Sequence, residues 1–222
     1  MHKKNKFIFQ KYFQNHLLQF IFSFLLFLIC FIIFGINFFQ IINSNKNFSN
    51  LIYKFTSESN IIILIVMFLF FTPFRKNLKF SYLAFIALVS ILFTSLINHT
   101  ILDREEIKKF SFRQTIHYKH TIIPFLYTIF YFSAKDIKNL ISRHVYVGLI
   151  HPLFYFIFFF IKGLFVKNAK YPYDFIDHNK KGIFQIEKGQ GYLYLILVVF
   201  ILAIFLYIFS YFLNFLKKKI SK

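Results

Sequence analysis

Leu17 to Phe39 reads LLQFIFSFLLFLICFIIFGINFF, a run without a single charged side chain. A helix rises about 1.5 Å per residue, and the hydrocarbon layer of a bilayer is about 30 Å thick, so this stretch alone is long enough to cross one. It is too long for the apolar core of a secretory signal, and no small-residue cleavage site follows it, so it is expected to remain as an anchor. The same texture returns at Leu51–Phe71, Phe80–Ile97, Ile116–Phe132, Val145–Phe165 and Gly191–Phe215. The fourth run is short and carries His117, Lys119, His120 and Pro124. The expected fold is all-α, a polytopic bundle of six transmembrane helices. It occupies residues 17–215 between a basic N-terminal tail (1–16) and a basic C-terminal tail (216–222).

The rest of the composition agrees. Of 222 residues, 58% are hydrophobic, 23% aromatic and only 16% charged, with 38 Phe. Soluble domains are about 45–50% apolar and about 25% charged. The net charge of +19 usually suggests nucleic acid, but here the basic residues punctuate apolar runs instead of forming a patch. No nucleic-acid partner is expected; the partners are membrane lipids, with loops facing anionic headgroups. Cys30 is the only cysteine, which rules out an intrachain disulfide. Oligomeric state is not encoded in any of these features.

Direction follows from Lys and Arg. With the N-terminus inside, the inner intervals 1–16, 73–79, 133–144 and 216–222 hold 14 basic residues in 42 positions; the outer intervals 40–50, 98–115 and 166–190 hold 10 in 54. Asp103, Glu105, Glu106, Asp174, Asp177 and Glu187 are also outer. The positive-inside rule therefore puts both termini in the cytoplasm of a multi-pass cell-membrane protein.

That direction gathers the polar interruptions at one end. Thr56-Ser57-Glu58-Ser59-Asn60 opens the second span, His117 and His120 the fourth; Asn98 and His99 close the third, and Tyr171-Pro172-Tyr173 follows the fifth. Polar groups at such depth normally face the bundle interior or a water-filled cavity. Thr56, Ser59 and Asn60 share a helical face by their spacing. Pro124 has no N–H to give the carbonyl of His120, so a kink is expected there, with a free carbonyl beside the imidazole. Glu58 needs a partner, such as Lys54 four residues earlier. His117 and His120 have a spacing open to metal, with His99, Glu58 or Asp177 completing a set. No HExxH-type signature accompanies them, however, and neither metal nor cofactor is expected. His151 is expected within helix packing and His144 at the inner interface.

The order Phe55-Thr56-Ser57-Glu58-Ser59-Asn60, His120-Thr121-Ile122-Ile123-Pro124-Phe125, then Tyr171-Pro172-Tyr173-Asp174-Phe175-Ile176-Asp177 resembles the Pr6Pr family of six-pass bacterial membrane proteins. That family has an FT-x-x-SN motif, a histidine four residues before a proline, and a YPY-x-F-hydrophobic-D segment. It is similar in turn to the androgen-induced protein family, which hydrolyses fatty acid esters of hydroxy fatty acids inside the membrane. The resemblance implies a threonine nucleophile at Thr56 and a histidine base at His120. Glu58 stands where Gln is usual, and Asp174 where Pro is usual. A threonine hydroxyl needs an adjacent base, which a neutral imidazole supplies; the same ring can then protonate the leaving alcohol. Asn60 is the first choice for the oxyanion donor because it shares the Thr56 face, with Ser59 or Tyr173 next. The departures at Glu58 and Asp174 place extra charge near the pair, and Glu58, His117 and Asp177 are further supporting residues.

Two other classes stay open. A small transporter or ion pathway would relay through Glu58, Lys119, His117 and His120, although the inner halves of the spans are almost wholly apolar and no inverted repeat is evident. A non-catalytic membrane scaffold would use the polar cluster only to fix helix register.

Overall fold

A computed structural model describes residues 16–43, 53–100, 115–166, 169, 171–173, 176–177 and 191–221. The N-terminal tail, the charged stretch at 103–109, Asp174 and Glu187 lie outside them. Among the described residues all regular structure is helical: α1 (His16–Asn43), α2 (Phe55–Phe70), a 3-10 turn (Pro73–Lys76), α3 (Leu78–Thr100), α4 (Thr115–His117), a π turn (Tyr118–Ile122), α5 (Ile123–Ser133), a 3-10 segment (Ser142–Leu149), α6 (Ile150–Phe165) and α7 (Gly191–Ile220).

Among the described residues four stretches are long and apolar enough to cross a membrane: Leu17–Asn43, Leu78–Thr100, Ser142–Phe165 and Gly191–Ile220. The 16 residues of α2 are apolar but shorter, about 24 Å at the usual rise. Residues 115–133 form one run in three pieces, α4, the π turn and α5, because Pro124 interrupts the hydrogen-bond ladder.

The α2–α3 connection follows from a Thr-Pro pair. The Thr72 hydroxyl accepts the Phe74 N–H at 3.2 Å, and Pro73 sits at the start of the turn, where no donor is needed. α3 then runs through the centre of the bundle, with 61% of its span buried against 28% for α1 and 22% for α7. The sequence explains the difference. α3 presents small residues, Ser81, Ala84, Ala87 and Ser90, all completely buried, so neighbouring backbones can approach closely. α1 and α7 carry Phe20, Phe24, Phe31, Phe200 and Ile208 on their exposed flanks, as lipid-facing helices do.

Gly148 marks a close approach between elements. A β-carbon there would sit 2.6 Å from Ser210 Oγ and 2.8 Å from Val89 Cγ2, so only glycine lets the 3-10 segment pass between α3 and α7.

The segment after 215, expected as a tail, is the last turns of α7, which runs on to Ile220. Lys217 is buried, and its ammonium donates to the carbonyls of Tyr131 (2.8 Å), Phe132 (3.2 Å) and Ala134 (3.1 Å). These are the unpaired carbonyls at the C-terminus of α5, where a cation is stabilised by the helix dipole as well.

Candidate functional site: a polar layer at one end of the bundle

The first turns of α2 deliver the polar side chains. Lys54 is extended, and its carbonyl accepts the N–H groups of Ser57 (2.9 Å) and Glu58 (3.2 Å), which starts the helix at Phe55. Successive residues then turn by about 100°. Ser59 and Asn60 therefore fall on either side of Thr56, roughly 60° one way and 40° the other. One short stretch thus touches α1, α3 and α6.

Thr56 is buried, and its hydroxyl lies 3.4 Å from the Tyr173 hydroxyl. Both line a cavity of about 20 Å³, walled also by Phe55, Phe93, Thr94 and Tyr155. That is room for one water, not for an acyl chain. Burial pushes the Tyr173 phenol above its ordinary pKa, partly offset by the Thr56 hydroxyl, so Tyr173 is a neutral group able to donate or accept.

Ser59 turns toward α3. Its Oγ is 2.9 Å from Thr94 Oγ1, and it also reaches the carbonyls of Phe55 (3.0 Å) and Thr56 (3.1 Å), while Thr94 reaches the Ser90 carbonyl at 3.0 Å. Two hydroxyls have two protons between them, so making the Ser59–Thr94 bond means releasing one of these backbone bonds.

Glu58 turns toward α6. Its partner is not Lys54, as the four-residue spacing suggested, but His151: Oε2 to Nε2 is 3.0 Å. The other ring nitrogen, Nδ1, lies 2.8 Å from Ser90 Oγ, and Phe55 stacks on the ring with centroids 4.6 Å apart. The chain Glu58–His151–Ser90 ties three helices together. Sequence reasoning placed His151 in packing and passed over Ser90; the legible signals were a histidine before Pro152 in an apolar run and a lone serine in mid-span.

His120 is buried, and its Nδ1 has no hydrogen-bond partner; the ring lies beside the backbone of Thr94. The free carbonyl expected beside it does not exist. Ser95 Oγ donates to the His120 carbonyl at 2.7 Å, and the ladder re-forms as a π turn in which the Ile123 N–H reaches the Tyr118 carbonyl. A π turn is the usual local remedy when one intrahelical donor is missing.

The expected Thr56 and His120 pair is thus split. Both are buried, and Thr94 neighbours each of them, lining the Thr56 cavity and setting its backbone beside the His120 ring, but Thr56 bonds Tyr173 and no hydrogen bond joins it to His120. Asn60 also departs from the role expected of it. Its amide nitrogen donates to the Thr56 carbonyl at 2.7 Å, and its side chain lines a second cavity with Lys119, away from the Thr56 hydroxyl. Lys119 itself donates to Asn37 of α1, so Glu58 and Lys119 belong to separate clusters. His117 is buried at the start of the broken helix. Asp177 and Tyr171 approach the same end: burial first, then the Tyr192 phenol and then the Asp177 charge raise the Tyr171 phenol. His99 closes α3 with Nε2 3.2 Å from Thr121 Oγ1. No family model, curated protein or solved structure matches this chain.

Proposed function

We propose that the protein is a six-span cell-membrane protein with both termini cytoplasmic. Its polar layer, just below the outer face, is a hydrolase site for lipid esters, with Thr56 as nucleophile and His120 as general base. One observation carries this: a buried imidazole nitrogen without a partner lies in the same layer as a buried threonine hydroxyl that opens on a water-sized cavity. A polar group left unsatisfied in a membrane-spanning segment is costly, and a general base is one of the few roles that needs an imidazole nitrogen kept unbonded. The motif order that resembles the Pr6Pr family points to the same two residues.

In such a reaction Thr56 attacks the ester carbonyl while its proton passes to His120 after a side-chain rotation, since His120 is not among the residues that wall the cavity. The alcohol leaves with that proton, and water then cleaves the threonyl ester with the same ring as base. Tyr173, already against the Thr56 hydroxyl, takes over from Asn60 as the donor for the oxyanion. The ester's acyl chains stay in lipid, since the cavity has no room for them.

The test is labelling of the purified protein by an activity-based fluorophosphonate, alongside turnover of a fluorogenic long-chain ester. Thr56→Ala and His120→Ala should each abolish both, with helix content unchanged. If both variants label as the parent does, the catalytic pair is wrong.

A scaffold is favoured by a specific observation as well: Glu58, His151, Ser90, Ser59 and Thr94 bond one another across α2, α3 and α6. On that alternative, Thr56→Val costs stability and changes no reaction.

A further inference from the structure

The second cavity lies between α1, α2 and the helix that bears Lys119. Cys30 and Ile33 make its apolar wall; Asn37, Ser57, Asn60 and Lys119 make its polar one. Lys119 donates to the Asn37 side-chain oxygen, and Asn37 in turn donates to the Ile33 carbonyl. Among the described residues no carboxylate pairs with Lys119: Glu58 is held by His151 and Asp136 by Arg75, and the charge felt at Lys119 is that of Lys54, not of a carboxylate. Lys54 lies within electrostatic reach of Lys119, so the cavity carries an excess of positive charge in a low-dielectric setting. The Asn60 side-chain oxygen is buried there with no partner. It is an acceptor, because the amide nitrogen is fixed on the Thr56 carbonyl. The site therefore asks for two things at once: an anion beside Lys119, and a donor for Asn60.

We propose that this cavity is a lipid-headgroup site, in which Lys119 and Ser57 take the phosphate of an anionic phospholipid and Asn60 accepts a hydroxyl of its headgroup. The size fits that division. About 20 Å³ holds one hydroxyl-sized group, so the headgroup hydroxyl enters and the phosphate stays at the mouth, near Lys54. A membrane amphiphile is favoured over a free anion because half of the wall is apolar and the neighbouring Phe31 and Ile32 of α1 face outward. The site does not rest on the hydrolase proposal, since binding is read without turnover.

The experiment uses the full chain in phosphatidylcholine nanodiscs, with spin-labelled lipids and the motionally restricted fraction as readout. Labelled phosphatidylglycerol should be enriched around the protein over labelled phosphatidylcholine. Lys119→Gln should cut that enrichment about fivefold, the effect of one lysine at an anionic surface. Phosphatidylmethanol, with the same charge and no hydroxyl, should bind less well than phosphatidylglycerol, and Asn60→Leu should erase that difference. Lys79→Gln, an exposed lysine outside the cavity, should lower it far less than Lys119→Gln. Enrichment untouched by Lys119→Gln, or lowered equally by Lys79→Gln, overturns the site and leaves a lysine satisfied by water. Phosphatidylmethanol binding as well as phosphatidylglycerol overturns the hydroxyl assignment, and displacement of the label by millimolar inorganic phosphate overturns the lipid in favour of a free anion.

Discussion

Glu58 and His151, 93 residues apart in the chain, meet at 3.0 Å through Oε2 and Nε2, and the far side of the same ring is 2.8 Å from Ser90 Oγ. The tautomer with its proton on Nε2 satisfies all three groups: the ring donates to the carboxylate and accepts from the serine. The pair is a half-buried cross-brace between α2 and α6 that holds the first turn of α2, and so Thr56, in place.

Removing one member of that brace should cost more than removing both. His151→Ala strands Glu58 and should destabilise by about 1–3 kcal/mol, less than a fully buried pair because the carboxylate is partly exposed. Glu58→Gln keeps a hydrogen-bond acceptor and should cost under about 1 kcal/mol. Thermal unfolding in detergent, followed by helical circular dichroism, reads both. Additive effects in the double variant would show that the two residues act independently.

Ser95 stands in for the proline's missing N–H. Ser95→Ala should leave the His120 carbonyl unpaired and lower stability by about 1–2 kcal/mol. Pro124→Ala restores the backbone donor, so in the Ser95→Ala background it should recover most of the loss. An equal loss from Ser95→Ala with or without Pro124 would remove Ser95 from this role. The same unfolding measurement decides it.

Lys217→Met replaces the cation that caps the α5 carbonyls with a side chain of similar length and no donor. Two buried acceptors and one half-buried acceptor lose their partner, and the expected cost is about 1–3 kcal/mol. Proteolysis at 134–141 should accelerate as that end of α5 opens. An unchanged digestion pattern together with unchanged stability would mean that α5 ends without help from α7.

Tyr173 gives a pH signature. Its phenol is raised above the ordinary value of 10 by burial. The unfolded chain therefore releases this proton first as pH rises, and the stabilisation from a neutral buried phenol is complete below pH 10 and lost above it. Alkaline unfolding between pH 10 and 12 should be shallower in Tyr173→Phe than in the parent, measured by circular dichroism. Identical alkaline profiles would place the Tyr173 phenol in free solvent.

The membrane-spanning character was legible because it needs only local information. Length and apolarity decide whether a helix can cross a bilayer, and Leu17–Phe39 shows both without reference to the rest of the chain. The clustering of polar groups at one end was also legible, since spans that alternate in direction bring Thr56, His99, His120 and Tyr173 to the same side. Even the lesion at Pro124 could be read, because the missing N–H is a property of the residue.

What could not be read was who answers whom. Lys54 was the nearest partner for Glu58 along the helix, yet His151 holds it; the His120 carbonyl looked free, yet Ser95 reaches it. The spacing that gave Thr56 and Asn60 a common face also leaves about 40° between them, enough to send one side chain toward Tyr173 and the other toward Lys119. The amino-acid sequence by itself determined helices long and apolar enough to cross a membrane, with polar groups gathered at one end, because hydropathy and period are summed along a single helix. Only the tertiary structure decided which hydroxyl, imidazole and ammonium are satisfied and which are left waiting, because hydrogen bonds between helices depend on rotation and crossing, which no single segment encodes.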